Sequence, residues 1–285
     1  MLRNNLILKT IQISFIVTTA LFFGLTNNVK TTFAKQPKLE AKELKIDYEK
    51  ANRYHNIGIA HGLKGETDKA LENFSKAIAF NPEHATAYLN RGNIYITQSK
   101  WDLALADLSR AIELDPKISG RAYYNRGSIY NTREQWDKAL ADYDMAIKTR
   151  SNYDEAFFSR GVIYLKQEDW KNAIADFEAV AEITPENAQA YFNQGFAYLK
   201  LRQWNEAIAI YNQGIAIDPD DGKAYFNRGI IYAKTGNKFK AIADWQKARD
   251  IFLITGDTYN FQNVDRLLQK HKTNSSSLLS LVSLL

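Results

Sequence analysis

Three columns of residues in this sequence carry groups able to do chemistry, and each recurs at a nearly fixed interval. Asn56, Asn90, Asn125, Ser159, Asn193 and Asn227 lie 34 or 35 residues apart. A carboxamide offers both donors and an acceptor, so such a row can hold the backbone of an extended polypeptide whatever its sequence. Arg91, Arg126, Arg160 and Arg228 are each followed sixteen residues later by an aspartate: Asp107, Asp142, Asp176 and Asp244. Where the arginine is replaced, by Ile57 and Gln194, the acid is replaced too, by Asn73 and Ile210. Columns that change together predict an ion pair within each repeat, a device that fixes register between helices. The alternative is a set of arginines that read an anionic ligand. The third column combines Phe158, Phe192 and Phe226 with Val162, Phe196 and Ile230, beside Lys166, Lys200 and Lys234. Exposed aromatics with lysines next to them would suit a segment bearing apolar and acidic residues.

The groups that catalysis or metal binding would need do not converge. The four histidines, at 55, 61, 84 and 271, form no ligand cluster, and His55 and His61 are six apart, off the same-face spacing of a helix. Phosphate-binding glycine loops, nucleophile elbows and carboxylate pairs in apolar settings are lacking. The sequence contains no cysteine, which removes thiolate zinc sites and disulfides from consideration. The expectation is a binding protein, not an enzyme, with no cofactor and no metal.

The element that must position these columns is a repeat. Gly58, Gly92, Gly127, Gly161, Gly195 and Gly229 keep the same period, and an alanine follows each by twelve residues, from Ala70 to Ala241. Sixteen after each glycine comes a large apolar group: Phe74, Leu108, Tyr143, Phe177, Tyr211 and Trp245. Three further on stands a small one: Ala77, Ala111, Ala146, Val180, Gly214 and Ala248. Small residues let two helices of a hairpin approach, large ones fill the remaining space, and Pro82, Pro116, Pro185 and Pro219 stop the second helix. A fixed period near 34 predicts stacked helical hairpins.

Together with Tyr95, Tyr130, Tyr164, Tyr198 and Tyr232, these residues resemble the tetratricopeptide repeat across 51–255. With the glycine at position 8, the units are 51–84, 85–118, 120–153, 154–187, 188–221 and 222–255, and Ser119 marks one extra loop residue. Ser151 and Leu253 depart from the expected proline, and His61 from the expected tyrosine. Trp101, Trp136, Trp170 and Trp204 share position 17, where packing inside the hairpin is the expected role. The resemblance implies an all-α, right-handed solenoid of six hairpins whose first helices line a concave surface through positions 2, 5, 6, 9, 12 and 13. It implies a scaffold or chaperone-like holder of protein partners. The asparagine column is similar to the ladder in the repeat arm of the glycosyltransferase that adds N-acetylglucosamine to proteins. The carboxylate clamp of chaperone-binding relatives needs a Lys–Asn, Asn, Lys–Arg pattern that no three consecutive units supply. Expected peptide-binding residues are Asn90, Asn125, Phe158, Lys166, Phe192, Asn193, Phe196, Lys200, Phe226, Asn227 and Lys234. Units one to three, with Asn52, His55, Thr86, Asn93, Arg121, Tyr124 and Ser128, read as a polar wall. The rival reading is an accessory or carbohydrate-binding protein of the cell envelope, whose aromatics would stack on sugars.

The ends differ from the repeats. Residues 1–34 hold Arg3, Lys9 and Lys30 and no acid, and Ile11–Leu25 is a mostly apolar run of 15 residues. That is the layout of a secretory signal, cleaved after Ala34 or retained as an anchor. Export to a periplasm, a thylakoid lumen or the extracellular space is therefore expected. Beyond this segment 34 basic residues face 32 acidic ones, too even a balance for nucleic acid. A charged lead-in spans 35–50. Residues 256–272 form a capping helix with Phe261, Val264, Leu267 and Leu268 on one stripe. The Ser/Leu-rich stretch 273–285 reads as a loose tail or a small apolar anchor, so a membrane enters only through this stretch or an uncleaved signal.

Overall fold

The computed structural model describes residues 46–116 and 119–282, with the side chains of the last helix described as far as His271. The expected export segment lies outside the described residues, as do most of the lead-in, Lys117 and Ile118. Thirteen helices and no strands occur among the described residues: α1 (Tyr48–Leu63), α2 (Thr67–Phe80), α3 (Ala85–Thr97), α4 (Trp101–Leu114), α5 (Gly120–Thr132), α6 (Trp136–Thr149), α7 (Asp154–Lys166), α8 (Trp170–Ile183), α9 (Ala188–Lys200), α10 (Trp204–Ile217), α11 (Gly222–Lys234), α12 (Lys238–Thr255) and α13 (Thr258–Val282). Six hairpins, α1–α2 through α11–α12, stack in sequence order into an all-α solenoid, and α13 packs on α12 at the end.

Each hairpin closes by one repeated device. The residue at position 15 turns left-handed: Gly65 (φ 74°), Ser99 (56°), Glu134 (56°), Glu168 (60°), Arg202 (60°) and Gly236 (84°). That turn aims the next amide back at the carbonyl of position 11, as in Lys100 N to Tyr95 O at 2.8 Å and Asn237 N to Tyr232 O at 2.8 Å. The last carbonyls of the first helix are thereby satisfied, in the manner of a Schellman cap. Four of these six positions hold a residue with a side chain, each at a cost of about 1 kcal/mol relative to glycine.

The glycine of position 8 is where the two helices of a hairpin meet. A Cβ at Gly229 would stand 2.6 Å from the Trp245 ring, and one at Gly127 3.0 Å from Tyr143. The alanines of positions 20 and 27 are buried beside them, so each large residue of position 24 is enclosed. Val264 and Leu268 of α13 are buried against Trp245 and Phe252, which covers the open end of the stack. The helix then runs to Val282, past residue 272 and through most of the stretch read as a tail. Serine and leucine supply no proline or glycine to stop it. Among the described residues no helix is long and apolar enough to cross a membrane.

Candidate functional site

Each arginine of position 7 makes a two-pronged ion pair within its own hairpin. Arg91 reaches Asp107 at 2.7 and 2.8 Å, Arg126 reaches Asp142 at 2.8 and 2.7 Å, Arg160 reaches Asp176 at 2.9 and 2.6 Å, and Arg228 reaches Asp244 at 2.8 and 2.7 Å. This is the pairing expected from the columns that change together. The structure adds a third partner that sequence reasoning missed. The remaining guanidinium nitrogen donates to position 25 of the preceding unit: Ser75, Ser109, Asp144 or Asn212. The signal was present, since every unit preceding an arginine offers an oxygen acceptor there. Each arginine therefore fixes the stacking of two units as well as the register of one hairpin. Burial raises the pKa of Asp176 in spite of the guanidinium beside it. In this pair desolvation of the carboxylate, with the Asp144 charge adding to it, outweighs the attraction of Arg160, which favours a geometric role over a purely stabilising one. With all three guanidinium nitrogens engaged inside the stack, these arginines are committed to packing, which runs against the ligand-reading alternative.

Unit five lacks its arginine. There Gln194 is buried, and α8 packs on α9 more extensively than any other pair of helices across a unit boundary.

The expected peptide-binding residues fall on consecutive first helices, but not all in the same state. Lys166, Lys200 and Lys234 are exposed at the ends of α7, α9 and α11. Lys200 lies over the Phe196 ring at 5.1 Å and the Trp170 ring at 5.7 Å, and Phe196 packs edge-on against Trp170. Asn193 is partly exposed, and its carboxamide makes no hydrogen bond to the described residues. Asn227 lies beside Tyr211, whose buried hydroxyl has its pKa raised by burial and opposed by that carboxamide. Phe158 is half-buried, edge-on to Phe177 at 5.5 Å, and Phe226 is half-buried in the last core cluster. Phe192 requires a correction. It is only 7% exposed and does not offer a free ring to a ligand. The reason is Gly214: a Cβ at that position would stand 2.5 Å from the Phe192 ring, so the missing methyl makes room for the aromatic inside the hairpin.

The other half of the first-helix surface also departs from expectation. A cavity of about 540 Å³ is walled by Ile59, Leu63, Phe74 and Ile94, and Asn90, Asn93, Thr97 and Arg121 also line it. Leu63 is 86% exposed, so the polar wall expected of units one to three contains an open apolar surface. A second cavity of about 470 Å³ is lined by Leu89, Thr86, Arg150 and Tyr153, and again by Arg121. The asparagines here are not idle. Asn90 Nδ2 lies 3.0 Å from His55 Nε2, and Asn125 Nδ2 donates to Asn93 Oδ1 at 2.6 Å. The His55 and His84 rings are 4.7 Å apart. Burial lowers the pKa of both, and the neighbouring His84 lowers that of His55 further. His84 also caps α3, its Nδ1 accepting from Ala87 N at 3.3 Å. Among the described residues no group of His, Asp and Glu is placed to hold a metal ion.

Tetratricopeptide repeat profiles match residues 85–118, 127–192 and 164–227, and a further repeat profile of the same kind matches 63–99. The chain is a tetratricopeptide repeat protein. Among solved structures it is similar to YrrB, described as a tetratricopeptide repeat protein with an unusual peptide-binding site. The two share 27% identity over 69% of this chain and all of that one, with a TM-score of 0.62. PilF of Pseudomonas aeruginosa, at 16% identity and a TM-score of 0.61, covers 76% of this tetratricopeptide protein and 97% of its own chain. MamA from Desulfovibrio magneticus, at 22% identity and 0.54, covers 59% and 94%. These last two likenesses are of fold alone. No curated protein sequence matches the chain.

Proposed function

We infer that this tetratricopeptide repeat protein is an exported scaffold that holds an extended segment of a protein partner along the first-helix surface of its stack. The observation that carries the reading is the mixed lining of that surface. Open apolar walls at Ile59, Leu63 and Ile94 lie beside carboxamides one helical turn apart, Asn90 and Asn93. Apolar sockets with adjacent backbone-binding groups suit a polypeptide whose side chains alternate while its amides repeat. In units four to six, Asn193, Asn227, Lys166 and Lys234 extend the same surface toward a ligand of acidic character. The likeness to YrrB, with its peptide-binding site, supports the class of partner. Export rests on the charge and length of residues 1–34.

The test is site-specific photo-crosslinking in the native host with probes at Asn93, Asn193 and, as an outward-facing control, Lys171. Partners crosslinked from the first two positions and not the third, in the exported fraction and with a mature N-terminus at Lys35, are the expected result. Equal crosslinking from all three would remove the groove from the account. An intact Met1 in the cytosolic fraction would remove export.

A further inference from the structure

The two cavities of units one to three share a single charged residue. Arg121 lines both and is exposed, and it pairs with no carboxylate among the described residues. It thus differs from the four arginines of position 7, each held by its own aspartate. Among the described residues no acid lines either cavity, and the second also carries Arg150, stacked on Tyr153 at 5.0 Å. Arg121 thus stands between an apolar recess and a mixed one, and the Glu155 charge reaches Tyr153 at the edge of the second.

The carboxamides beside Arg121 are already oriented. Asn93 Oδ1 accepts from Asn125, which leaves its Nδ2 to donate. Asn90 gives Nδ2 to His55 Nε2, which a neutral imidazole can accept, and this leaves Asn90 Oδ1 free to accept. One acceptor and one donor, three residues apart on α3, therefore face the first cavity with their polarity fixed by neighbours. An extended backbone offers an N–H and a C=O in that same alternation.

We propose that units one to three select an internal acidic residue flanked by apolar ones, with Arg121 receiving the carboxylate, Ile59, Leu63 and Ile94 receiving one apolar side chain, and Leu89 the other. This rests on the peptide-holding reading above and specifies its ligand. Cavities on both sides of Arg121 favour a segment that runs through the site over a chain end that stops there. Arginine suits the role because its planar donors meet both oxygens of a carboxylate.

The experiment is fluorescence anisotropy with an acetylated, amidated nonapeptide of serines bearing Leu, Glu and Leu at alternate central positions, at low salt. Replacing the Glu by Gln is expected to weaken binding to the wild-type protein by about three- to tenfold, as for a partly screened ion pair. In Arg121→Ala the two peptides should bind alike. In the Ile59→Ala, Leu63→Ala double variant both should weaken together while their ratio is kept. Equal binding of the Glu and Gln peptides to the wild type would overturn the proposal, as would a ratio that survives Arg121→Ala. Tighter binding of a peptide ending in a free carboxylate at the central position would overturn it as well, by making the ligand a chain end. These failures leave peptide holding intact if a randomised peptide pool is still retained on the immobilised protein. Retention of no peptide from that pool would remove the broader reading instead.

Discussion

Units one to three and units four to six follow one repeat formula yet spend their large side chains differently. In the first half, positions 5 and 9 are His55, Ile59, Leu89, Asn93, Tyr124 and Ser128, and the first-helix surface stays open as two cavities. In the second half the same positions are phenylalanine or branched aliphatic residues. One ring is buried, others pack edge-on against Phe177 or Trp170, and a lysine lies over Phe196 and Trp170. The half whose sequence looks stickier has used its aromatics to close its own seams. A large apolar residue on a concave face is a ligand socket only if the facing helix leaves it uncovered, and Gly214 shows how little is needed to cover one.

Four expected outcomes break or sharpen that contrast. The largest concerns Phe192. Replacement by alanine should cost about 3–5 kcal/mol in urea unfolding, as for a buried aromatic leaving a cavity. Ile59→Ala, in the open half, should cost less than about 1.5 kcal/mol. Comparable losses at the two sites would erase the distinction between a filled and an open surface.

Next is the arginine network, which both halves share. Arg126→Ala strands the buried Asp142 and should cost about 3 kcal/mol or more, whereas changing Arg126 and Asp142 together to leucine should be markedly milder. The cycle is read by chemical denaturation, and simple additivity of the two single changes would show that the pair is not coupled.

A smaller effect belongs to the first half alone. His84 caps α3 through an unprotonated Nδ1, and burial keeps its pKa below the ordinary 6.5. The unfolded chain therefore binds the proton more readily. The contribution of His84 is full above about pH 6.5 and declines as pH falls toward the lowered native value. His55 shifts in the same direction. Thermal unfolding between pH 7.5 and 5 should show a loss of stability that His84→Asn, which caps without titrating, reduces. An identical pH slope in that variant would acquit the cap. The smallest effect is at the left-handed turns: Glu134→Gly should change stability by less than about 1 kcal/mol, because relief at φ 56° is offset by the entropy of glycine in the unfolded chain. A large destabilisation would mean that the Glu134 side chain has a role its exposure does not suggest.

Much of the fold was legible because it depends on residues that recur. Gly58 to Gly229, Ala70 to Ala241 and the ring or branched side chain sixteen residues after each glycine dictate the hairpin by size alone. The ion pairs could be read from the columns that change together, since register within a hairpin is a local property of two adjacent helices. The left-handed turns were not legible, because Ser99, Glu134, Glu168 and Arg202 do not have the conformational preference that glycine announces.

Sequence alone thus determined the repeat, the hairpin, the aspartate partner of each arginine and the chemical menu of the first-helix surface. Tertiary structure decided which parts of that menu are available. It buried Phe192 because a residue 22 positions later has no side chain, and it left Leu63 exposed with nothing packed over it. It also gave each arginine of position 7 a partner in the preceding unit and left Arg121 without a carboxylate among the described residues. Composition fixes what a side chain can do, but exposure and pairing depend on what the neighbouring helix presents across a few ångströms, and that is set only when the units stack.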